Sequence, residues 1–321
     1  MKAKIFLGLF FLSIPFLLLQ IEFSSAENYP EKTIEVINGF GPGGINDLNV
    51  RMISIASQKY LGQTMIQSFR AGASGAAGAI YVAKAPADGY TLLIAGQGEF
   101  MAAPNLSKVP YTYKDFKCIA KTSAKPFTLC VLKDAPWQSI EEFINYARNN
   151  PGKLTYGSTA GSGFVGAEKF QDDAKIKLTH VPFPGFGPAV IALLGKHIDC
   201  AWVNMPAADA QARAGKIRLL VITGSNPEKD FPNVPTTKNI GMDFPIVHWA
   251  GFFVRRETPP DKLKFLRSAF EKMMRDPEVF SIGEKMNLGV DYTPGEEWEQ
   301  SIAKEEAMIR SLIIKLGLQP K

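Results

Sequence analysis

Histidine and cysteine are scarce in this chain, with three of each among 321 residues. No cysteine lies beside a histidine at zinc-ligand spacing, and no serine occurs in a G-x-S-x-G motif. We interpret His180, His197 and His248 as structural residues of strands and helix ends. These absences leave no candidate catalytic residue and no metal site, so we expect neither an enzyme nor a metalloprotein.

Only one long apolar run occurs, at the start of the chain, and it is short for a membrane span. Lys2 and Lys4 precede this run, and the small residues Ser24, Ser25 and Ala26 follow it. This pattern predicts a signal peptide over residues 1–26, cleaved after Ala26, and export to a bacterial periplasm. A retained membrane anchor is the alternative. A lipoprotein is disfavoured because no cysteine lies near the cleavage site.

The few cysteines limit cross-linking in an oxidising compartment. Cys200 lies in an apolar run and is expected to be buried. Cys118 and Cys130 flank a short polar turn, which leaves two interpretations open. They form a disulfide between antiparallel strands, or both are buried free thiols.

The chain also lacks a large net charge, since its formal net charge is only +5. No basic run suits nucleic acid, and no basic amphipathic helix suits a membrane surface. A weak positive bias favours small anionic ligands. With 46% hydrophobic residues, the chain can build a sizeable core, and its length suggests about two domains.

Strand and helix patterns alternate along most of the chain, which predicts an α/β fold with parallel sheets. A first block has strands near 33–37, 64–69 and 90–95, with helices near 48–61 and 75–85. A second block begins with a strand at 127–132, has a helix at 140–149 capped by Ser139, and ends with a strand near 218–223.

The last seventy residues look helical, and Thr293 with Glu296 predicts a capping box. Without a sheet of their own, these helices should pack on the first block. We therefore predict one domain from residues 27–128 and 249–321, and a second from residues 129–248. The two crossings, near 127–132 and 248–254, would form a hinge.

Three glycine-rich loops, at 38–47, 70–75 and 157–163, each lie between a strand and a helix. Glycine lets the backbone turn sharply, and the free amides at a helix start attract anions. Asn46 or Asp47 is expected to cap the first helix. Ligands gather at the carboxyl ends of parallel strands, where these loops and residues 96–99 should lie.

A dinucleotide-dependent enzyme is the least favoured alternative. Residues 161–166 fit G-x-G-x-x-G between a strand and a helix. Such a site needs an acidic residue at the end of the next strand, about 20 residues on. The corresponding residues, 181–184, include no acid.

Seven short segments, in order, resemble the solute-binding proteins of tripartite tricarboxylate transporters, also called Bug proteins. The first is Phe-Gly-Pro-Gly-Gly-Ile-Asn-Asp at 40–47, and the second is Ala-Pro-Ala-Asp-Gly-Tyr-Thr-Leu-Leu at 85–93. The others lie at 152–158, 180–183, 214–218, 233–236 and 276–279. The resemblance covers nearly all of the chain after residue 26.

The resemblance implies a two-lobed periplasmic-binding-protein-like fold of type II, with two crossover strands and a ligand cleft between the lobes. It implies a receptor that delivers a dicarboxylate, tricarboxylate, aromatic acid or amino acid to membrane permease subunits. A sensor that signals to a kinase stays open as an alternative. We expect a monomer, without a cofactor or nucleic-acid partner.

In this family, loop amides, hydroxyls and waters hold the ligand's carboxylate. Carried onto this chain, the resemblance implies a set of ligand-binding residues from both lobes. They are Phe40, Gly43, Asn46, Asp47, Ala73, Ser74, Gly75, Gln97, Glu99, Ser158, Thr159, Ser162, Phe183, Gly185 and Asn204.

Two departures from the family pattern concern acidic residues near the cleft. Glu99 replaces a small hydroxyl residue, and Val203 replaces an aspartate. Three roles for Glu99 stay open: it points to solvent, it is protonated or paired with a cation, or it meets a positive group of the ligand. The ligand of a related protein therefore cannot be transferred to this one.

Overall fold

Residues 29–244 and 246–319 are described by a computed structural model. The predicted signal peptide and its cleavage after Ala26 lie outside these residues. Two separate β-sheets form the frame, one of six strands and one of five.

The six-stranded sheet contains strands from both ends of the described chain. Its strands are β1 (Ile34–Asn38), β2 (Met65–Phe69), β3 (Thr91–Gly96), β4 (Phe116–Lys125), β10 (His248–Arg255) and β11 (Val290–Pro294), in the order β11-β4-β10-β3-β1-β2. β1 pairs in parallel with β2 and β3, whereas β10 runs antiparallel to β3 and β4.

Helices cover both faces of this sheet, which explains why its central strands β1, β3 and β10 are largely buried. One face packs against α1 (Ile45–Ser54), α2 (Ser57–Leu61), α9 (Pro260–Met274) and α10 (Pro277–Lys285). The other packs against α3 (Ala76–Lys84), α4 (Ala103–Leu106) and α11 (Gly295–Lys315). A π-helical segment, Gly98–Ala102, joins β3 to α4.

The five-stranded sheet is built from one continuous stretch of chain. Its strands are β5 (Phe127–Leu132), β6 (Thr155–Thr159), β7 (Thr179–Phe183), β8 (Cys200–Asn204) and β9 (Ile217–Ile222), in the order β7-β6-β8-β5-β9. Its helices are α5 (Ile140–Asn149), α6 (Ser162–Ala174), α7 (Phe186–Leu194) and α8 (Met205–Arg213). Ser139 caps α5 as predicted, accepting from the Glu142 N–H.

The chain passes between the sheets twice. β4 ends at Lys125 and β5 begins at Phe127, so Pro126 alone separates the two strands. Residues 223–247 then lead from β9 back to β10 in the first sheet. This path has the out-and-back form expected from the sequence, while the domain boundaries at 128/129 and 248/249 stay predictions.

Several sequence-based expectations are wrong. The first predicted helix is two helices, α1 and α2, and the C-terminal region does contribute a strand, β11. Thr293 belongs to that strand, and α11 begins after Pro294 without a side-chain cap, so there is no capping box. The disulfide interpretation also fails, because Cys118, Cys130 and Cys200 are free and buried.

Candidate functional site

A small cavity lies between the lobes, where loops from both sheets meet. It is lined by Phe40, Gly41, Gly44, Ile45, Asn46, Thr159, Gly185, Phe186 and His248. Its volume is about 10 Å³, which is close to the space needed for one water molecule. Of the predicted ligand-binding residues, the structure brings Phe40, Asn46, Thr159 and Gly185 to this cavity.

The first glycine-rich loop places the start of α1 at the cavity. Gly44 is the N-cap residue, and no side chain caps the helix, so the expected capping by Asn46 or Asp47 is wrong. Asp47 instead folds back on the loop, accepting from the Gly43 N–H at 2.8 Å and from Arg51 Nε at 2.9 Å. Asp47 therefore shapes the loop, and both of its carboxylate oxygens already have partners.

Asn46 lies between the cavity and a buried carboxyl group. Its Nδ2 donates to Glu99 Oε1 at 3.1 Å, and Glu99 Oε2 accepts from the Gly96 N–H at 2.9 Å. Glu99 is fully buried, so the solvent-facing role is wrong. Burial raises the pKa of Glu99 to about 8, against the opposing effect of these hydrogen bonds.

The second loop packs behind Phe40 and does not line the cavity. Ala73, Ser74 and Gly75 all have positive φ angles, of 47°, 59° and 89°. Gly75 needs to be glycine, because a Cβ there would lie 2.8 Å from both the Phe40 ring and Glu99 Cγ. Gln97 also does not line this cavity; it lies with Trp249 and Glu305 at a separate surface groove.

The third loop contributes one free hydroxyl to the cavity. Thr159 is buried, and its Oγ1 has no hydrogen-bond partner among the described residues. Ser158, by contrast, donates to the Trp202 carbonyl at 2.7 Å. Ser162 Oγ lies 3.4 Å from His248 Nδ1. Thr159 is therefore the hydroxyl of this loop that is available to a ligand.

Of the remaining predicted residues of the second lobe, Gly185 lines the cavity and the others do not. The Phe183 ring packs over Gly157, where a Cβ would lie 2.9 Å from it. Asn204 caps α8 through Oδ1, which accepts from the Ala207 N–H at 3.3 Å. Its buried Nδ2 has no partner in the described part of the chain.

His248 lines the cavity, although no local sequence pattern indicates this role. Its imidazole is buried between the Phe127 and Phe186 rings, each with a centroid 5.5 Å away. Burial lowers the pKa of His248 to about 3, so the ring is neutral at pH 7. His248 and Ser162 are 86 residues apart in the chain, so only the folded structure reveals their contact.

We expect acid to destabilise the protein through His248. Its folded pKa of about 3 lies below the ordinary value of 6.5, so the unfolded state binds the proton first. The free energy of unfolding should therefore fall as pH drops from 6.5 towards 3, by a few kcal/mol at about 1.4 kcal/mol per pKa unit. Urea unfolding at several pH values should show a smaller acid loss in His248→Phe. Equal losses in both proteins would contradict this role.

The two lobes touch closely through loop backbone. The Gly41 N–H donates to the Pro184 carbonyl at 2.8 Å, across the cleft. A Cβ at Gly185 would lie 3.3 Å from the Gly41 carbonyl oxygen, and one at Gly187 would lie 2.7 Å from that of Pro42. Glycine thus allows a closed arrangement in which the cavity is nearly filled.

The electrostatics of the cavity come from backbone and neutral side chains. No Asp, Glu, Lys or Arg is among the residues that line it. The N-termini of α1 and α7 meet there from opposite lobes, and both carry partial positive charge. Arg51 pairs with Asp47, and Arg70 stacks on Tyr81. The arrangement can bind an anion without an arginine.

Neither a metal cluster nor a membrane span occurs within residues 29–244 and 246–319. These residues contain no group of three or more His, Cys, Asp or Glu side chains placed to hold a metal ion. They also contain no helix with the length and apolar character required to cross a bilayer.

Comparison with known proteins identifies relatives over almost the whole chain. A UPF0065 protein of Bordetella pertussis is 31% identical over 317 residues, covering 95% of this chain and 96% of that protein. A Rhodopseudomonas palustris protein, MatC, solved with malate, is 26% identical with a TM-score of 0.79, covering 90% of this chain and 98% of its own.

A second R. palustris structure, Rpa4515 with adipate, is 25% identical with a TM-score of 0.84 and covers 91% of this chain and 100% of its own. These similarities confirm the predicted two-lobed, periplasmic-binding-protein-like α/β fold. The family model described as "Tripartite tricarboxylate transporter family receptor" matches residues 50–318. The chain therefore belongs to the tripartite tricarboxylate transporter receptor family.

Proposed function

We propose that this protein is a periplasmic receptor that binds a small organic carboxylate between its lobes and delivers it to the permease subunits of a tripartite transporter. The observation that carries this proposal is the meeting of two helix N-termini, from α1 and α7, in a cavity without charged side chains. Partial positive charge from both lobes favours an anion at that position.

The free donors near the cavity suit a carboxylate. The Thr159 hydroxyl and Nδ2 of the Asn204 amide are buried without partners among the described residues. Hydrogen bonds from such groups to a charged acceptor are stronger than those to a neutral one. Phe40, Ile45 and Phe186 add apolar surface for the carbon chain of the ligand. The related structures solved with malate and adipate support this ligand class.

Ligand entry requires the lobes to separate, because a cavity of about 10 Å³ cannot hold a dicarboxylate. The Pro126 link and residues 223–247 are the two connections about which such a hinge motion would occur. We propose that the exported receptor is monomeric, with the signal peptide removed after Ala26. The membrane protein that co-purifies with it, a permease or a kinase, distinguishes transport from sensing.

A thermal-shift screen tests the ligand class. The panel contains dicarboxylates, tricarboxylates, aromatic acids and acidic amino acids, with sugars and divalent metals as controls. A ligand at 100 times its Kd should add about 2.7 kcal/mol to the free energy of unfolding. A shift with sugars or metals and none with any carboxylate would overturn the proposal.

A further inference from the structure

Two buried polar residues, Asn46 and Glu99, lie one behind the other at the cavity. Asn46 is 3% exposed and lines the cavity, while Glu99 lies behind it and is not among the lining residues. Two donors point at the Glu99 carboxyl group, namely Asn46 Nδ2 and the Gly96 N–H. Each occupies a different carboxyl oxygen, so the group accepts at both ends.

This pairing fixes which end of the Asn46 amide is free. Because Nδ2 is held by Glu99, the remaining polar atom is Oδ1, which is buried and has no partner in the described residues. An amide oxygen accepts hydrogen bonds and cannot donate. It repels a carboxylate oxygen and favours a hydroxyl or ammonium group on the ligand.

Protonation of Glu99 would exchange the end of the Asn46 amide that faces it. The backbone N–H of Gly96 can only donate, so it needs the carbonyl oxygen of the protonated carboxyl group. The O–H then faces Asn46 and requires an acceptor, which is Oδ1. A half-turn of the amide exchanges oxygen for nitrogen with almost no change of shape, and leaves the NH₂ group free.

We propose that Glu99 is a positioning residue whose proton decides which end of the Asn46 amide is offered to the ligand. The inference rests on the carboxylate-binding function proposed above and specifies its ligand class. With Glu99 ionised, the site prefers carboxylates that carry a hydroxyl or ammonium donor. With Glu99 protonated, the free NH₂ group serves a carboxylate or a hydroxyl oxygen, so this preference is lost.

Several titratable groups lie on the segments around Glu99, and the charge of Glu99 contributes to the raised pKa of Tyr111. Titratable residues on neighbouring segments have partners of their own: Asp47, Tyr111, Glu168, His248, Glu305 and Glu306. Tyr111 contacts this segment directly, donating to the Glu99 carbonyl at 2.6 Å, and burial raises its pKa well beyond the ordinary range. With a Glu99 pKa of about 8, the change is expected between about pH 7 and pH 9.

Calorimetric titration with matched ligand pairs tests the proposal. The pairs are succinate with malate and glutarate with 2-hydroxyglutarate, measured from about pH 6.5 to about pH 9.5, where all four acids are ionised. The preference for the hydroxyl-bearing member should rise roughly fivefold to tenfold across this range, the effect of one neutral hydrogen bond.

Glu99→Gln should abolish this pH dependence. Its single carbonyl oxygen serves Gly96 and its NH₂ group faces Asn46, so the Asn46 NH₂ group stays free and no added preference for the hydroxyl-bearing acid develops at any pH. Glu305→Gln is the matched control, because Glu305 is a partly buried glutamate with a raised pKa that accepts a hydrogen bond from Trp249. That variant should keep the pH dependence of the unmodified protein.

A ligand-free measurement separates this proposal from the proposed function. The ¹⁵N side-chain amide signal of Asn46, identified by its loss in Asn46→Asp, should shift with pH near the Glu99 pKa of about 8 and should not shift in Glu99→Gln. If carboxylates bind, but neither the preference between paired acids nor the Asn46 signal changes with pH, the role of Glu99 is overturned and the receptor function is not. Failure of every carboxylate to bind would overturn the receptor function, and with it the ligand preference.

Discussion

Gly187→Ala is expected to hold the lobes apart and to weaken carboxylate binding about fivefold to 150-fold. In the closed arrangement the added Cβ would lie 2.7 Å from the Pro42 carbonyl oxygen and 3.2 Å from Gly43 Cα, on the opposite lobe. Both neighbours are backbone, so the clash is relieved mainly by moving the lobes apart. Overpacking of this kind costs about 1–3 kcal/mol, which corresponds to that range of affinity. Calorimetry measures the Kd, and solution scattering should show a larger radius of gyration.

The second lobe itself should remain intact in this variant. Gly187 lies in the first turn of α7, where alanine is a better helix former than glycine. Gly44→Ala is the matched control for the radius of gyration, because it adds the same methyl group to the facing loop; its Kd is not compared, since Gly44 lines the cavity. At that position no atom lies within 4 Å of the new Cβ, and the backbone is extended, with φ −94°. If the ligand-free radius of gyration is the same in the unmodified protein, Gly187→Ala and Gly44→Ala, the contact between position 187 and the Pro42 carbonyl does not limit closure of the lobes.

Apolar strands were predictable from sequence, whereas strands defined by distant partners were not. β1, β3 and β5 are apolar runs, covered by packed helices or sheet neighbours, so their composition reveals them. β4 carries three lysines in ten residues, and its partners are β10 and β11. Those partners are more than a hundred residues away in the chain, and only the folded sheet brings them together.

The site shows the same division between local and distant information. The first and third loops were found because glycine at a strand end marks a close backbone approach, and Phe40, Asn46 and Thr159 do line the cavity. His248 was missed because nothing near it in sequence marks the cavity. Glu99 does follow the carboxyl end of β3, but it lies in the π-helical segment Gly98–Ala102 and not in a loop, and its burial depends on packing by Phe40 and Gly75.

Thr159→Val is expected to weaken ligand binding, whereas Ser158→Ala is expected to destabilise the fold, although the residues are adjacent and both were predicted to bind ligand. Valine keeps the shape of threonine but removes the hydroxyl that has no partner among the described residues. The loss of a hydrogen bond to a charged ligand group costs about 1.5–3 kcal/mol, or roughly 10- to 150-fold in Kd. Since an unpaired buried hydroxyl is unfavourable, the ligand-free protein should be equally stable or about 1 kcal/mol more stable.

Ser158→Ala should instead destabilise the ligand-free fold and leave Kd nearly unchanged. The Ser158 hydroxyl donates to the Trp202 carbonyl of the neighbouring strand β8, and its removal loses this buried hydrogen bond, at a cost of about 0.5–1.5 kcal/mol. Urea unfolding without ligand and calorimetry with ligand measure the two effects separately. A large affinity loss in Ser158→Ala with unchanged stability would show that the ligand takes the hydrogen bond of Ser158. The same loss in both variants would show that both hydroxyls turn towards the ligand when the lobes open.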